Sequence, residues 1–126
     1  MRLLLDTNAL LWLVDDNPRL GSHARTQIRL ASSLVVIDAS LWEIAVKVSI
    51  GKLRTGPDFA GVIRKLGFDR PIVSDRELET LAELPLHHRD PFDRMLVAHA
   101  LCADLPIVTA DPIFASYGVR VIDAGV

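Results

Sequence analysis

Four carboxylates are the residues of this 126-residue chain best placed for chemistry. Asp6 follows an apolar triplet in LLLDTN, and Asp111 follows a strand-like segment in VTAD. Glu43 and Asp93 each lie one turn into a predicted helix, in ASLWEIA and RDPFDRMLVAHA. In an open parallel sheet, ligands bind outside the carboxyl ends of the strands. We therefore expect the four side chains to meet in one oxygen-rich pocket at that edge.

Such a pocket needs protons or a cation, because two unit charges about 4 Å apart repel by about 4 kcal/mol at an effective dielectric near 20. Oxygen ligands favour hard ions such as Mg²⁺ or Mn²⁺, and the single cysteine, Cys102, excludes a cysteine-rich zinc cluster. A carboxylate-held ion that activates water is suited to cleaving phosphodiesters. We interpret the four acids as catalytic residues and metal ligands of a Mg²⁺-dependent (or Mn²⁺-dependent) hydrolase of a nucleic-acid backbone.

The same acids also occupy positions typical of helix caps. Asp6 precedes a predicted helix, Asp111 precedes Pro112, and Ser40 and Glu43 have the spacing of a capping box. Acidic residues in a first turn also gain from the helix dipole. Capping explains each residue singly but does not explain a grouping at one sheet edge, which favours the functional interpretation.

The elements that must position these residues follow from the hydrophobic pattern. Short apolar runs alternate with longer stretches of helical period, which is typical of a parallel sheet covered on both faces. We predict an α/β fold, a single domain over residues 1–126 forming a three-layer α/β/α sandwich with a mostly parallel sheet of four or five strands. The predicted strands are Arg2–Leu5, Leu34–Ile37, Pro106–Thr109 and Gly118–Ile122, with Arg70–Val73 as a fifth candidate. The predicted helices are Asp6–Val14, Ser22–Ser32, Ser40–Gly51, Pro57–Leu66, Ser74–Leu84 and Pro91–Ala103.

The composition excludes several classes of protein. With 50% hydrophobic and 24% charged residues the chain is not disordered, and its net charge of −2 argues against coating nucleic acid by bulk electrostatics. No uncharged stretch exceeds nine residues, whereas a membrane helix needs about 20. The first residues, in which Asp6 stops an apolar triplet, do not have the pattern of a secretory leader. We expect a cytoplasmic protein without a membrane segment.

Four segments together resemble a known family. LLLDTNALLW, ASLWEIAVKVSIGKL, LPLHHRDPFDRMLVAHA and VTADPIFASYGV look like those of PIN-domain ribonucleases, most closely the VapC-type toxins of type II toxin–antitoxin pairs. The segments occur in the family's order and span essentially the whole chain. The resemblance implies a compact α/β/α fold, Mg²⁺- or Mn²⁺-dependent endoribonuclease activity on RNA, a homodimer, and a cognate antitoxin protein that blocks the site. The family's acidic positions fall on Asp6, Glu43, Asp93 and Asp111, with Asp6 and Asp93 as the preferred metal ligands.

Further polar residues have weaker signals. Asn8 and Thr109 resemble polar helpers of the family that orient a carboxylate or bind a metal-held water, and a turn-stabilising role is the alternative. Asp90 is expected to cap the helix that carries Asp93, although it lies near enough in sequence to compete for the metal role. Asp38 adds a fifth acid where such toxins are expected to have a small or hydroxylic residue, and its role stays open.

Basic residues are candidates for holding RNA, because without the four acids the chain has 14 basic against 12 acidic residues. Their phosphate contacts would position a strand without reading its sequence. Lys47 lies four residues after Glu43, so a simple ion pair is its alternative role. We interpret the adjacent histidines His87 and His88 as part of a polar loop. Trp12 and Trp42 are interpreted as core or dimer contacts. The RNA-binding candidates are Lys47, Lys52, Arg54, His87, His88, Arg89 and Arg94.

Two rival functions remain open. A phosphotransferase with Asp6 as nucleophile, as in haloacid-dehalogenase-like phosphatases, needs a second Asp two positions on, where this chain has Asn8. A non-catalytic protein-binding module, whose acidic pocket accepts a partner's arginine, would use the same negative charge as a metal ion. The chain has no Walker A loop and no GxGxxG, so nothing indicates a nucleotide cofactor.

Overall fold

A four-stranded parallel sheet forms the centre of the fold. The computed structural model describes residues 1–126 and places the strands in the order β2-β1-β3-β4, every neighbouring pair being parallel. The strands are β1 (Arg2–Leu5), β2 (Ser33–Val35), β3 (Ile107–Thr109) and β4 (Val121–Asp123). The helices are α1 (Thr7–Val14), α2 (Ser22–Leu30), α3 (Asp38–Ser49), α4 (Phe59–Lys65), α5 (Asp75–Glu83) and α6 (Pro91–Ala103). No helix combines the length and apolar character needed to cross a membrane.

The central strand β1 faces a hydrophobic layer on each side. Leu3 and Leu5 belong to one cluster of 12 buried residues, which includes Ala24 of α2. Leu4 belongs to a second cluster of 12, which includes Leu96 of α6. Because successive strand residues point to opposite faces, one apolar triplet contributes to both cores. The predicted α/β/α sandwich is therefore confirmed, with helices covering both faces of the sheet.

The predicted fifth strand is wrong. Residues 70–73 have no strand conformation, and Asp69 alone forms an isolated bridge with Val35 of β2. Pro71 has no N–H to donate to a ladder, which explains why the pairing does not continue. Ile72 is 87% exposed, so the segment leaves the sheet at this edge.

The start of α3 also differs from the prediction. The helix begins at Asp38, two residues before Ser40, and its N-cap residue Ile37 makes no side-chain capping bond. Ser40 is thus inside the helix, and its buried Oγ has no hydrogen-bond partner. The capping box suggested by the spacing of Ser40 and Glu43 is therefore absent.

A 3₁₀ helix at Pro112–Tyr117 follows Asp111, where the sequence indicated a cap position but the predicted elements included no helix. It ends at Gly118, whose φ of 78° is in the left-handed region that favours glycine. The following strand β4 consequently begins at Val121, three residues after the predicted start at Gly118. The other boundaries agree with the predictions to within two residues.

A buried polar contact joins α5 to α6. Ser74 and Glu77 form a capping box at the start of α5. The other carboxylate oxygen of Glu77 contacts Nδ1 of His99, and both side chains are buried. Burial alone would raise the pKa of Glu77, but hydrogen bonds from the Ser74 backbone and from His99 outweigh it and lower that pKa. The ionised carboxylate is therefore a stabilising link between the two helices.

We predict that Glu77→Gln lowers the melting temperature at pH 7 by several degrees, because a buried hydrogen bond to a charged group contributes about 1.5–3 kcal/mol. Since the folded pKa lies below the ordinary 4.5, this stabilisation is present above pH 4.5 and is lost as the pH falls through the folded pKa. The difference in melting temperature between wild type and variant should therefore become smaller in acid. Glu79→Gln, an exposed change in the same helix, is the control, and a gap that stays constant with pH would contradict the prediction.

Candidate metal-binding site

The four predicted carboxylates line one cleft at the carboxyl edge of the sheet. Asp6 comes from the end of β1, Glu43 from α3, Asp93 from α6 and Asp111 from the loop after β3. The cleft has a volume of about 220 Å³. Its other lining residues are Thr7, Asn8, Lys47, His88, Asp90 and Phe114. Chain segments more than 100 residues apart in sequence thus place acidic groups around one small volume.

Asp6 is both a helix cap and a wall of the cleft. Its Oδ1 accepts a hydrogen bond from the backbone N–H of Ala9 at 2.7 Å, and its Oδ2 accepts one from Oγ1 of Thr109 at 2.6 Å. Burial raises the pKa of Asp6 to about 6, while these two bonds oppose the rise and the charges of Asp93 and Asp111 add to it. The capping and functional interpretations of Asp6 are therefore compatible.

Asp93 shares the same electrostatic situation. Its backbone N–H donates to Oδ1 of Asp90 at 2.9 Å, so Asp90 is the N-cap of α6, as predicted, and also lines the cleft. Burial raises the pKa of Asp93 to about 6; the nearby charges of Asp90 and Glu43 add to this, and a hydrogen bond with His88 opposes it. Two carboxylates of one cleft therefore resist ionisation, which is the condition under which a bound cation is favoured.

Glu43 is held by two neighbours. Its Oε1 accepts a hydrogen bond from Oγ1 of Thr7 at 2.6 Å, and its Oε2 lies 2.8 Å from Nζ of Lys47. The hydrogen bond to Glu43 raises the pKa of Lys47. Lys47 thus forms the intrahelical ion pair that its spacing predicted and also contributes a positive charge to the cleft. Sequence reasoning did not single out Thr7, although its place directly after Asp6 in DTN was the available signal.

Thr109 connects two of the acids. Its hydroxyl donates to Asp6 and accepts from the backbone N–H of Asp111 at 3.0 Å. Asp111 caps the 3₁₀ helix through a 3.0 Å bond from the N–H of Ile113 and is exposed to solvent. Asn8 is also exposed on the cleft wall. These contacts fit the expected role of Thr109 in orienting a carboxylate.

Of the basic candidates, Lys47 and His88 line the cleft and Arg94 does not. The guanidinium of Arg94 instead donates to carbonyl oxygens of the preceding helix and loop, among them those of Leu81 and Pro85. These bonds commit Arg94 to holding the loop, which is a different role from the predicted contact with RNA. Arg54 lines a separate cleft, and Lys52, His87 and Arg89 are exposed.

Asp38 lies outside the cleft. It occupies the first turn of α3, where its carboxylate forms a 2.8 Å ion pair with Arg70 and is 65% exposed. Asp38 therefore does not line the anionic cleft. Its partner Arg70 belongs to the segment that was predicted as a fifth strand.

The donor set of the cleft fits a divalent cation. Ligand atoms of His88, Asp93 and Asp111 lie within 4.8 Å of one another, and Asp6 and Glu43 face the same volume. Most of these donors are carboxylate oxygens, which suit Mg²⁺ and Mn²⁺. A cation would also offset the mutual repulsion that helps to raise the pKa values of Asp6 and Asp93.

The chain belongs to the PIN domain family, whose model matches residues 3–119. Among solved structures, DNA-bound VapBC from Salmonella typhimurium is 18% identical over 98% of both chains, with a TM-score of 0.74. VapBC2 from Rickettsia felis, bound to a promoter DNA fragment, is 15% identical over 97% of this chain and 98% of that chain, with a TM-score of 0.71. VapBC-5 from Mycobacterium tuberculosis is 19% identical over 96% of this chain and 97% of that chain, with a TM-score of 0.61. No curated protein sequence matches this chain.

We predict that Asp93→Asn stabilises the metal-free protein at pH 8. The folded pKa of about 6 lies above the ordinary 3.8, so the stabilising effect of the protonated carboxyl is complete below pH 3.8 and lost as the pH rises through 6. Asn stays neutral and keeps an acceptor for His88, so its melting temperature in EDTA should exceed that of wild type by several degrees at pH 8 and match it near pH 4.

The exposed substitution Asp15→Asn, at the end of α1, is the control and should leave the melting temperature unchanged at both pH values. If Asp93→Asn is less stable than wild type at pH 8, the ionised Asp93 carboxylate does not destabilise the folded protein and the prediction is wrong.

Proposed function

We propose that this chain is a metal-dependent endoribonuclease that acts as the toxin of a toxin–antitoxin pair. The observation that carries the proposal is the convergence of four carboxylates on one cleft of a PIN domain. Structures of the same fold support the toxin assignment, since they include VapBC proteins and a toxin–antitoxin complex from Klebsiella pneumoniae.

The cleft residues would divide the work of hydrolysis. Asp6 and Asp93 would hold Mg²⁺ or Mn²⁺, with Glu43 and Asp111 completing the ligand set directly or through water. When bound, such an ion supplies Lewis acidity that activates water and stabilises the leaving oxygen of a phosphodiester. Thr109 and Thr7 keep two of the carboxylates in fixed orientations through hydrogen bonds of 2.6 Å.

Basic groups beside the cleft would position the RNA backbone. Lys47 borders the acids and keeps 44% of its side chain exposed while paired with Glu43. Arg89 is exposed in the loop that also carries His88. Phosphate contacts of this kind fix the position of a strand but not its sequence. We therefore assign Lys47 and Arg89 to substrate positioning.

We further propose that a cognate antitoxin blocks the cleft with a cationic side chain. Glu43 already accepts the ammonium group of Lys47, so the cleft accommodates an organic cation as well as a metal ion. An apolar cleft of about 450 Å³ lies between α3 and α4, and at Thr55 and Phe59 it adjoins a more polar cleft of about 220 Å³ that reaches the end of α1. This groove suits the apolar face of a partner helix. The negative charge of the cleft also supports the alternative function, a non-catalytic module that binds a partner's arginine. The nuclease assay described below distinguishes the two functions.

We propose that a second copy of the chain covers a different apolar face. Trp42 is 66% exposed and meets Phe92 edge-to-face at 5.3 Å. Both rings line a groove of about 630 Å³ together with Leu78 and Leu81 of α5. A two-fold interface uses the same patch on both subunits, so the patch must be complementary to itself, as a projection beside a recess is. The Trp42 ring and the adjoining groove meet this requirement and support a homodimer.

The nuclease proposal predicts that the purified chain cleaves a structured RNA with Mg²⁺ or Mn²⁺ and not with EDTA. Asp6→Asn and Asp93→Asn should each lower the rate by at least about 100-fold, because each removes a charged ligand. Asp15→Asn, which changes an acid outside the cleft, should keep full activity. The measurement is gel-based cleavage of RNA, with a DNA of the same sequence run beside it.

Cleavage that persists in both cleft variants would identify a contaminating nuclease, and preferential cleavage of the DNA would contradict the RNA assignment. The toxin role has its own readout. Expression of the wild type should stop bacterial growth, whereas expression of Asp93→Asn should not.

The dimer proposal predicts that Trp42→Arg converts a dimer into a monomer, because it places an unpaired charge in the apolar interface. Light scattering coupled to size-exclusion chromatography gives the mass directly. Leu30→Arg alters a residue of α2 that is 73% exposed and outside the Trp42 groove, and it should leave the dimer intact. A wild type that is monomeric at high micromolar concentration would rule out the second copy as occupant.

A further inference from the structure

His88 reaches the acidic cleft from the loop between α5 and α6, and we infer that it positions Asp93 for cation binding. The inference rests on the proposed function, because it concerns the same metal site. His88 is a positioning residue in this role: it acts through the carboxylate and does not itself bind the ion.

The main chain of His88 is held on both sides. Its backbone N–H donates to Oη of Tyr117 at 2.8 Å, and its carbonyl oxygen lies 3.4 Å from Nη1 of Arg94. Arg94 also donates to the carbonyl oxygens of Pro85 and Leu84. The 3₁₀ helix and α6 thus both fix the loop at the position where His88 enters the cleft.

The imidazole then fixes one oxygen of Asp93. Nε2 of His88 lies 2.8 Å from Oδ2 of Asp93. An ionised carboxylate has no proton to give, so the imidazole donates in this bond. The backbone N–H of Asp93 donates to Asp90, which fixes the main chain at this position. The hydrogen bond from His88 then fixes the rotation of the Asp93 side chain.

This arrangement leaves the other oxygen of the carboxylate for an ion. Oδ1 of Asp93 makes no hydrogen bond within the chain, whereas Oδ2 is occupied by His88. Ligand atoms of His88, Asp93 and Asp111 lie within 4.8 Å of one another, and because Nε2 of His88 is engaged by Asp93, the two carboxylates are the groups left to share one cation. Partners that orient metal ligands typically change affinity by 10-fold to 100-fold when they are removed.

The neighbouring histidine provides a contrast. His87 is exposed and packs its ring against Tyr117 at a centroid distance of 5.0 Å. It does not line the cleft. His87 and His88 therefore form a matched pair of positions, adjacent in one loop, of which one faces the acids.

The test is a titration of the full chain with Mn²⁺, in which free Mn²⁺ is followed by electron paramagnetic resonance. His88→Ala should bind Mn²⁺ about 10-fold to 100-fold more weakly than wild type. His88→Gln should recover most of this loss, because its amide N–H can replace the imidazole donor. His87→Ala should bind as wild type does, and circular dichroism checks that each variant is folded.

The outcomes separate this inference from the proposed function. A wild type that binds no Mn²⁺ overturns the proposed metal site and the inference with it. A wild type that binds Mn²⁺ and a folded His88→Ala that binds equally well overturn only the role of His88. Pulsed electron paramagnetic resonance of the Mn²⁺-loaded wild type should show no directly coordinated nitrogen. A strong ¹⁴N coupling would make His88 a ligand instead, and this measurement needs no variant to fold.

Discussion

The placing of several carboxylates at one poorly solvated sheet edge is the constraint on which the rest of this structure depends, because loss of solvation disfavours their ionised forms and neighbouring acids add to that effect. The parallel strands all end at that edge, and the helices that follow them start there. Asp6 and Asp93 therefore lie near other acids in a poorly solvated cleft, and each has its pKa raised to about 6. The fold tolerates this arrangement because hydrogen-bond donors surround the cleft. Thr109, Thr7 and His88 each serve one carboxylate.

Helix capping places three of the acids that line the cleft. Asp6 caps α1, Asp90 caps α6 and Asp111 caps the 3₁₀ helix. A cap residue sits where the chain changes from extended to helical conformation, which in this topology is the carboxyl edge of the sheet. Local stabilisation and the assembly of an anionic cleft are thus two results of the same positions. The capping and functional interpretations of these acids, which the sequence presented as alternatives, are therefore compatible.

The loop before α6 shows how one helix organises its own surroundings. Arg94 follows Asp93 directly, yet its side chain turns to the carbonyl oxygens of residues 81–88 while the carboxylate lines the cleft. Adjacent residues on a helix point about 100° apart, so one can hold the loop while the other faces the acids. The loop conformation and the direction of the His88 imidazole are consequently linked to the helix that carries the proposed metal ligand.

The amino-acid sequence by itself determined the order of the elements, most of their boundaries, and the group of four acids at the sheet edge. Periodicity, capping residues and apolar runs act locally, so they can be recognised in a short stretch such as LLLDTN or RDPFDR. The tertiary structure alone decided that residues 70–73 leave the sheet, that Arg94 binds carbonyl oxygens, and that His88 rather than His87 meets Asp93. These outcomes depend on which groups lie across a gap between elements distant in the chain. A long side chain bonds with whatever partner packing places within about 3 Å, and local pattern carries no information about that partner.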